Sequence, residues 1–169
     1  MKNVYIVSVL AFFFFACKKD SDSAPSDPVK AANEKKAADL QVFLKANQFE
    51  LTRYYSDTPI DYIDTDQVVK AETDLWDYVS PWIKDDRYSF NSDGTVTIQQ
   101  NAVKIQSDSS ATLSRDYSVV GDASGVTFNF IGHIYQSLNY NLIEFSDTLL
   151  KVNAKWNGNT VISEYKVAN

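Results

Sequence analysis

The chain is poor in several residue types, and each scarcity removes a class of protein. A single cysteine in 169 residues cannot close an internal disulfide, so the fold must hold without one. A single histidine, with neither an H-E-x-x-H nor a C-x-x-C pattern, leaves too few ligands for a closed zinc site. Five glycines and four prolines exclude collagen-like and proline-rich sequences. The formal charge is −6 and no basic stripe interleaves with aromatics, so nucleic acid is not an expected partner. What is plentiful is apolar and aromatic: 44% hydrophobic and 14% aromatic, with ten Tyr and ten Phe. That composition favours strands, and the length suits one domain with a short appendage.

The N-terminus reads as an address. Lys2 precedes an apolar run from Val4 to Ala16, which includes four consecutive phenylalanines. The run is short of the roughly 20 residues that cross a bilayer core and suits the apolar region of a signal peptide. Ala16 stands before Cys17, and the chain turns polar at once with KKDSDSAPSDP. A small residue before cysteine at this point resembles a bacterial lipobox. The resemblance implies removal of residues 1–16, diacylglycerol on the Cys17 sulfur and an acylated amino group. At about 0.8 kcal/mol per buried methylene, three acyl chains make a lasting anchor. Removal takes Lys2 with it and shifts the formal balance from −6 to −7. The lysine and acid cluster after Cys17 resembles the surface-export signal of Bacteroidetes-type lipoproteins, which implies an outer-membrane, cell-surface location. Residues 17–27 have no apolar face and read as a flexible tether.

Asp27-Pro28 then starts a helix, with Asp as cap and Pro at the first helical position. Ala37, Leu40, Phe43, Leu44 and Asn47 follow helical spacing, so 28–48 is read as an amphipathic helix that leans on a barrel end or serves as a stalk. From Phe49 to Asn169 the period is two. FELTRYY, RYSFN, TVTIQ, VTFNF, YNLIEF, LLKVNAKW and NTVISEYKV are strand-like runs separated by turn signals, among them NSDGT, SDT and NGN. Strands joined by tight turns predict an antiparallel meander, and about eight of them predict an up-and-down β-barrel. Val68, Ala71 or Glu72, Leu75 and Val79 break the pattern with helical intervals, so a helix inserted near residues 66–79 is expected to cover one end.

WIKDDRYSFNSDGT carries a further resemblance. A bulky residue, K-D-D, an aromatic-x-Phe strand and a D-G-T turn look like the hallmark of lipocalin-like domain lipoproteins of the Bacteroidetes type. The closing YNLIEFSDTLLKVNAKWNGNTVISEYKV matches that family's ending, and the likeness covers about residues 49–167. FELTRYYSD stands where the family usually opens with a Gly-x-Trp strand, and Trp82 where cysteine is often seen. The resemblance implies an eight-stranded barrel and no particular ligand or chemistry.

No catalytic constellation is legible. His133 beside Gly132 has no G-x-S-x-G elbow to serve, and lipidation would consume Cys17. Asp61, Asp64 and Asp66 are oxygen ligands by type, but the glycine and terminal glutamate of a calcium loop are missing, so they read as a solvated acidic loop. Asp85 and Asp86 are adjacent on an extended chain and point to opposite faces. They cannot flank one bond as glycosidase acids do, and read as a strand start at an edge. No cofactor or metal is therefore expected, nor enzymatic activity. The candidate ligand-binding residues are aromatic: Trp76, Trp82, Tyr88, Phe90, Phe128, Phe130, Tyr140 and Trp156, lining a barrel interior or its mouth. The expected function is non-catalytic binding of a small hydrophobic or amphipathic ligand, or a glycan. The alternative is a solid barrel that contacts an envelope protein. The address is testable by itself: the wild-type protein should partition with membranes, and Cys17→Ser should move it to the soluble fraction. Continued membrane partitioning of the variant would sink the lipid-anchor reading.

Overall fold

The computed structural model describes residues 27–63, 69–104, 111–131, 137–156 and 158–168. Helix α1 (Pro28–Ala46) begins where the sequence predicts, with the Asp27 carboxylate accepting from Val29 N at 2.9 Å and Lys30 N at 3.5 Å. These bonds satisfy amides that have no partner inside the helix. Its buried residues are Ala37, Leu40 and Leu44. Leu40 and Leu44 are wholly enclosed in the main core, each burial worth about 2 kcal/mol.

Nine described strands form one antiparallel sheet. They are β1 (Gln48–Ile63), β2 (Val69–Asp74), β3 (Arg87–Phe90), β4 (Thr95–Gln99), β5 (Thr112–Asp122), β6 (Gly125–Ile131), β7 (Ser137–Ser146), β8 (Leu149–Trp156) and β9 (Asn159–Val167). β1 and β3 to β9 follow one another in order, and β1 also pairs with β9, so eight strands close into a barrel. The sequence runs matched seven of the eight. β5 escaped because its inward positions, Leu113, Arg115, Tyr117 and Val119, include a cation that breaks the apolar alternation.

β1 is the strand on which closure turns. Its first half pairs with β9 from Phe49–Val167 to Ser56–Val161. Its second half leaves the barrel and pairs with β2 from Ile60–Glu72 to Ile63–Val69. The register breaks between Tyr55 and Ile60, and Pro59, which has no N–H to give a ladder, sits in that irregular stretch. Pairing of β1 with β3 is short, only Gln48–Ser89 and Phe49–Tyr88. Arg87 Nε to Glu50 Oε1 at 2.8 Å ties this seam from outside.

The segment after β2 covers the rest. The inserted helical element lies further along the chain than expected: residues 69–74 are strand β2, followed by a 3-10 turn at Trp76–Tyr78 and a short helix α2 (Pro81–Lys84). Val68 lies outside the described residues. The helical intervals misled because only Leu75 and Val79 of that set are buried, while hydrogen bonding to the projecting half of β1 fixes residues 69–74 as extended. Leu75 N donates to Tyr54 O at 2.9 Å. Leu75 packs with Ile60 and Val161, and Val79, Trp76 and Ile83 pack on the main core. The two barrel ends are thus closed differently, one by α1 and the other by this insertion.

The α1 end depends on a close backbone approach. A Cβ at Gly121, near the end of β5, would stand 2.2 Å from Asn33 O of α1, and Asn33 Nδ2 donates to Asp122 O at 2.7 Å beside it. Gly121→Ala must push backbone rather than a side-chain tip. It should cost about 1–3 kcal/mol, read as a lower urea midpoint, whereas an unchanged midpoint would show that α1 is not seated there.

Candidate functional site

The barrel interior is divided along its axis. Inward positions nearest α1 are large rings. Phe49 and Phe90 meet at 5.8 Å between ring centres, Phe90 and Phe128 at 5.4 Å, Phe128 and Phe130 at 5.3 Å, and Phe130 and Tyr140 at 5.4 Å. Phe43 of α1 joins from outside the strands, 5.3 Å from Phe49. Edge-to-face and offset geometries predominate, as the ring quadrupole favours. Tyr88 closes the set, 5.9 Å from Phe130 and 5.8 Å from Tyr165.

Beyond Tyr88 the chemistry changes. The buried polar or charged residues among those described are Ser56, Asp86, Gln100 and Ser163, and all four lie toward the end covered by the 75–84 insertion. Register explains their gathering. Ser56 is opposite Val161, which is opposite Ala154; Tyr54 is opposite Ser163, which is opposite Val152. Asp86 and Gln100 stand one step past the Arg87–Gln99 pair of β3 and β4. The hydroxyls of the neighbouring tyrosines join them. Tyr165 is hydrogen-bonded to Tyr140 and to Ser163, and Ser56 Oγ donates to the Thr58 carbonyl.

The electrostatics follow from enclosure. Burial pushes the phenols of Tyr88, Tyr140 and Tyr165 above their ordinary value. At Tyr88 the nearby Tyr165 and the Asp86 charge add to the effect. At Tyr165 the hydrogen bonds with Tyr140 and Ser163 offset part of it. These groups are hydrogen-bonding alcohols at neutral pH, not phenolates.

Five of the eight aromatic residues singled out from the sequence therefore come together: Tyr88, Phe90, Phe128, Phe130 and Tyr140 are all buried in one core. The three tryptophans are not among these enclosed rings. Trp76 is half-buried on the covering segment, with Lys84 Nζ 5.0 Å from its ring centre. Trp82 is half-buried in α2. Trp156 packs at the end of β8 against the cluster of Ile60, Leu75 and Val161. Sequence reasoning missed Asp86, Gln100, Ser163, Tyr54 and Tyr165. Asp85 ends α2 with φ −108° and ψ 4° rather than lying on an extended strand, and Asp86 is an enclosed carboxyl with no exposed surface rather than an edge marker. Asp85 accepts from Val103 N at 3.0 Å. The inward alternation Asp86-Tyr88-Phe90 was the available signal. Asp61 is exposed on β1. Cys17, Asp64, Asp66 and His133 lie outside the described residues.

The outer wall offers other features. A groove of about 400 Å³ between α1 and the β7–β8 turn is lined by Asp39, Val42, Phe43, Phe145, Ser146 and Asp147. Glu164 of β9 binds Tyr55 Oη at 2.8 Å, Lys151 Nζ at 3.2 Å and Arg53 Nη1 at 3.3 Å. Partial burial raises the Glu164 carboxyl, but the bonds from Tyr55 and Lys151 and the Arg53 charge outweigh it and hold the group below its usual value. Among the described residues no group of three His, Cys, Asp or Glu is placed to hold a metal ion, and no helix is long and apolar enough to cross a membrane.

Comparison with models of known families finds no match to this chain, and comparison with curated proteins finds none either. The lipocalin-like resemblance thus rests on the strand pattern and the K-D-D and D-G-T segment.

The buried phenols set an alkaline limit. Their folded-state pKa values lie above the unfolded value of about 10, so their contribution is complete below that pH. It is lost as pH rises through the folded values, because the unfolded chain releases protons that the folded chain retains. Tyrosinate absorbance of these residues should therefore rise only together with loss of the circular dichroism of the barrel. Reversible ionisation of every tyrosine near the ordinary value, with the fold intact, would overturn the enclosure.

Proposed function

We propose that the protein is a lipid-anchored lipoprotein of the outer membrane, exposed at the cell surface, whose lipocalin-like barrel binds a small amphipathic ligand without catalysis. The single observation that supports this reading is the split interior. A floor of contacting rings meets a layer where Ser56, Ala154 and Ser163 are small, beneath a cover formed by a chain insertion rather than by the barrel wall. An interior built only for stability gains most from apolar residues of matching volume, since each buried polar group must recover its lost hydration. Gathering Asp86, Gln100, Ser163 and three phenols at one end suits a molecule that brings its own apolar body and polar head. A sugar ring with an apolar face is compatible with the same surface. Cys17 supplies the anchor in this reading, and KKDSDS the export label.

The second reading, a barrel that acts through its outer surface on an envelope protein, is favoured by a different observation. The ring contacts fill the α1 half, and the groove beside Phe43 and Phe145 exposes Val42 at 70%. Native mass spectrometry of protein purified from its own host membranes separates the two. A small non-covalent adduct beyond the lipidated chain is expected. A stoichiometric protein partner with no small adduct would replace the ligand reading with the interaction reading.

A further inference from the structure

Closure leaves one described strand outside the barrel. β2 pairs with β1 alone, so its other edge of N–H and C=O groups meets no strand among the described residues. Its side chains bury little: all are exposed except Glu72, which is partly so, and Val69 stands at 61%. A two-stranded ribbon is marginal in water by itself, and an open edge is a template for a further strand. We propose that this edge takes the same edge of a second copy of the chain, antiparallel across a two-fold axis at Ala71. This pairing is independent of the ligand reading and of the membrane address.

The order of charges along VKAETD carries the argument. With the axis at Ala71, Lys70 of each copy lies opposite Glu72 of the other, Val69 lies opposite Thr73, and Ala71 meets itself. Two opposite-charge pairs result, each worth about 0.2–1 kcal/mol across a sheet. Neighbouring arrangements are poorer. A parallel, in-register pairing sets Lys70 beside Lys70 and Glu72 beside Glu72. An axis at Lys70 or at Glu72 puts like charges face to face, and an axis between residues, on either side of Ala71, pairs neither charge with its opposite. Charges on an edge ordinarily deter pairing, and in this order they deter every register but one. Lys70 already has a partner in its own chain, and an ammonium with three donors can add a second bond. The competing edge is worse suited. Pairing of β1 with β9 ends at Ser56, but beyond it the β1 register is broken between Tyr55 and Ile60, and Pro59 has no N–H to offer. β2 has no proline or glycine and keeps an unbroken register from Val69 to Glu72. A contact of two short strands falls below the roughly 1,200–2,000 Å² of a stable interface. The association is therefore reversible, and covalent trapping is the measurement that reads it.

The full chain with Cys17→Ser has no other thiol, so single cysteines placed on β2 report the register. Two copies of Ala71→Cys stand directly opposite, within the Cα separation of about 4.4–6.8 Å that a disulfide spans. Two copies of Val69→Cys, or of Thr73→Cys, are four residues out of register and roughly 14 Å apart. Neither can join to itself, but a mixture of the two can. Under mild oxidation Ala71→Cys is expected to give a covalent dimer on a non-reducing gel, with Val69→Cys or Thr73→Cys alone lower by about tenfold or more. Adding Lys70→Glu to the Ala71→Cys chain should lower the yield severalfold, and adding Glu72→Lys to that chain should restore it, since the pairs re-form in reverse. The substituted positions lie outside the barrel, and circular dichroism checks the fold. Equal cross-linking at 69, 71 and 73 would mean random collision and overturn the proposal. No dimer from Ala71→Cys would also overturn it and leave the edge to a strand of another protein. A double exchange that fails to restore the yield would overturn the two-fold register at Ala71. The comparison of the three cysteine positions needs no charge variant, so it decides the matter if one of those fails to fold.

Discussion

Everything in this molecule depends on β1 serving two neighbours at once. A barrel abolishes the exposed sheet edges that would otherwise template aggregation, but only if its first strand reaches its last. Here β1 does so along Phe49–Ser56, where it meets Val161–Val167 of β9. The outer face of that junction carries the Glu164, Lys151, Arg53 and Tyr55 network. Such a network is worth little where fully exposed and more where, as at Glu164, the acid is largely shielded. The cost of running β1 on for 16 residues is that its second half departs with β2, and the β1–β3 side is left with two residue pairs. The 75–84 segment is the consequence. It is a patch over the one stretch of wall that the ladder does not close.

That patch explains the split interior. At the α1 end the strands are continuous and the helix is seated by the Gly121–Asn33 approach, so large rings can fill the space at crystal-like density. At the other end the cover is made of loop and short helical turns, which provide fewer regular surfaces to pack against. Small and polar side chains stand there, and the tyrosines that border them put rings below and hydroxyls above. The same geometry makes these phenols hard to ionise and leaves the Asp86 carboxyl enclosed. Packing and titration are thus two consequences of one asymmetry in how the barrel is closed.

Much of this was legible one residue at a time. Asp27-Pro28 announced α1, and the alternation in TVTIQ and LLKVNAKW announced β4 and β8, because a period of two is imposed by backbone geometry and does not wait for tertiary contacts. The Asp-Gly turn was equally plain: Gly94 sits at φ 85° and Asp93 accepts from Thr95 N at 3.0 Å. β2 carries no apolar period of two because its side chains are mostly exposed, so nothing local marks it as a strand. β5 was passed over because Arg115 interrupts its inward series. For Asp86 the sequence points to an edge, since acidic side chains are rarely enclosed, and only the fold encloses it. Its neighbours Gln100 and Ser163 are about fourteen and seventy-seven residues away along the chain.

By itself the sequence determined what is local or periodic: the signal-like run before Cys17, the cap and apolar face of α1, the strand period, the turns, and a supply of aromatics sufficient for a core. The tertiary structure decided what is non-local. Closure of β1 on β9, the seam at β3, the seat of the helical insertion, and the sorting of aromatics into a filled floor and a covered polar layer all join residues far apart in the chain. Local patterns state which face a side chain takes. Only register and closure state which distant side chains share that face, and the candidate site consists of such a meeting.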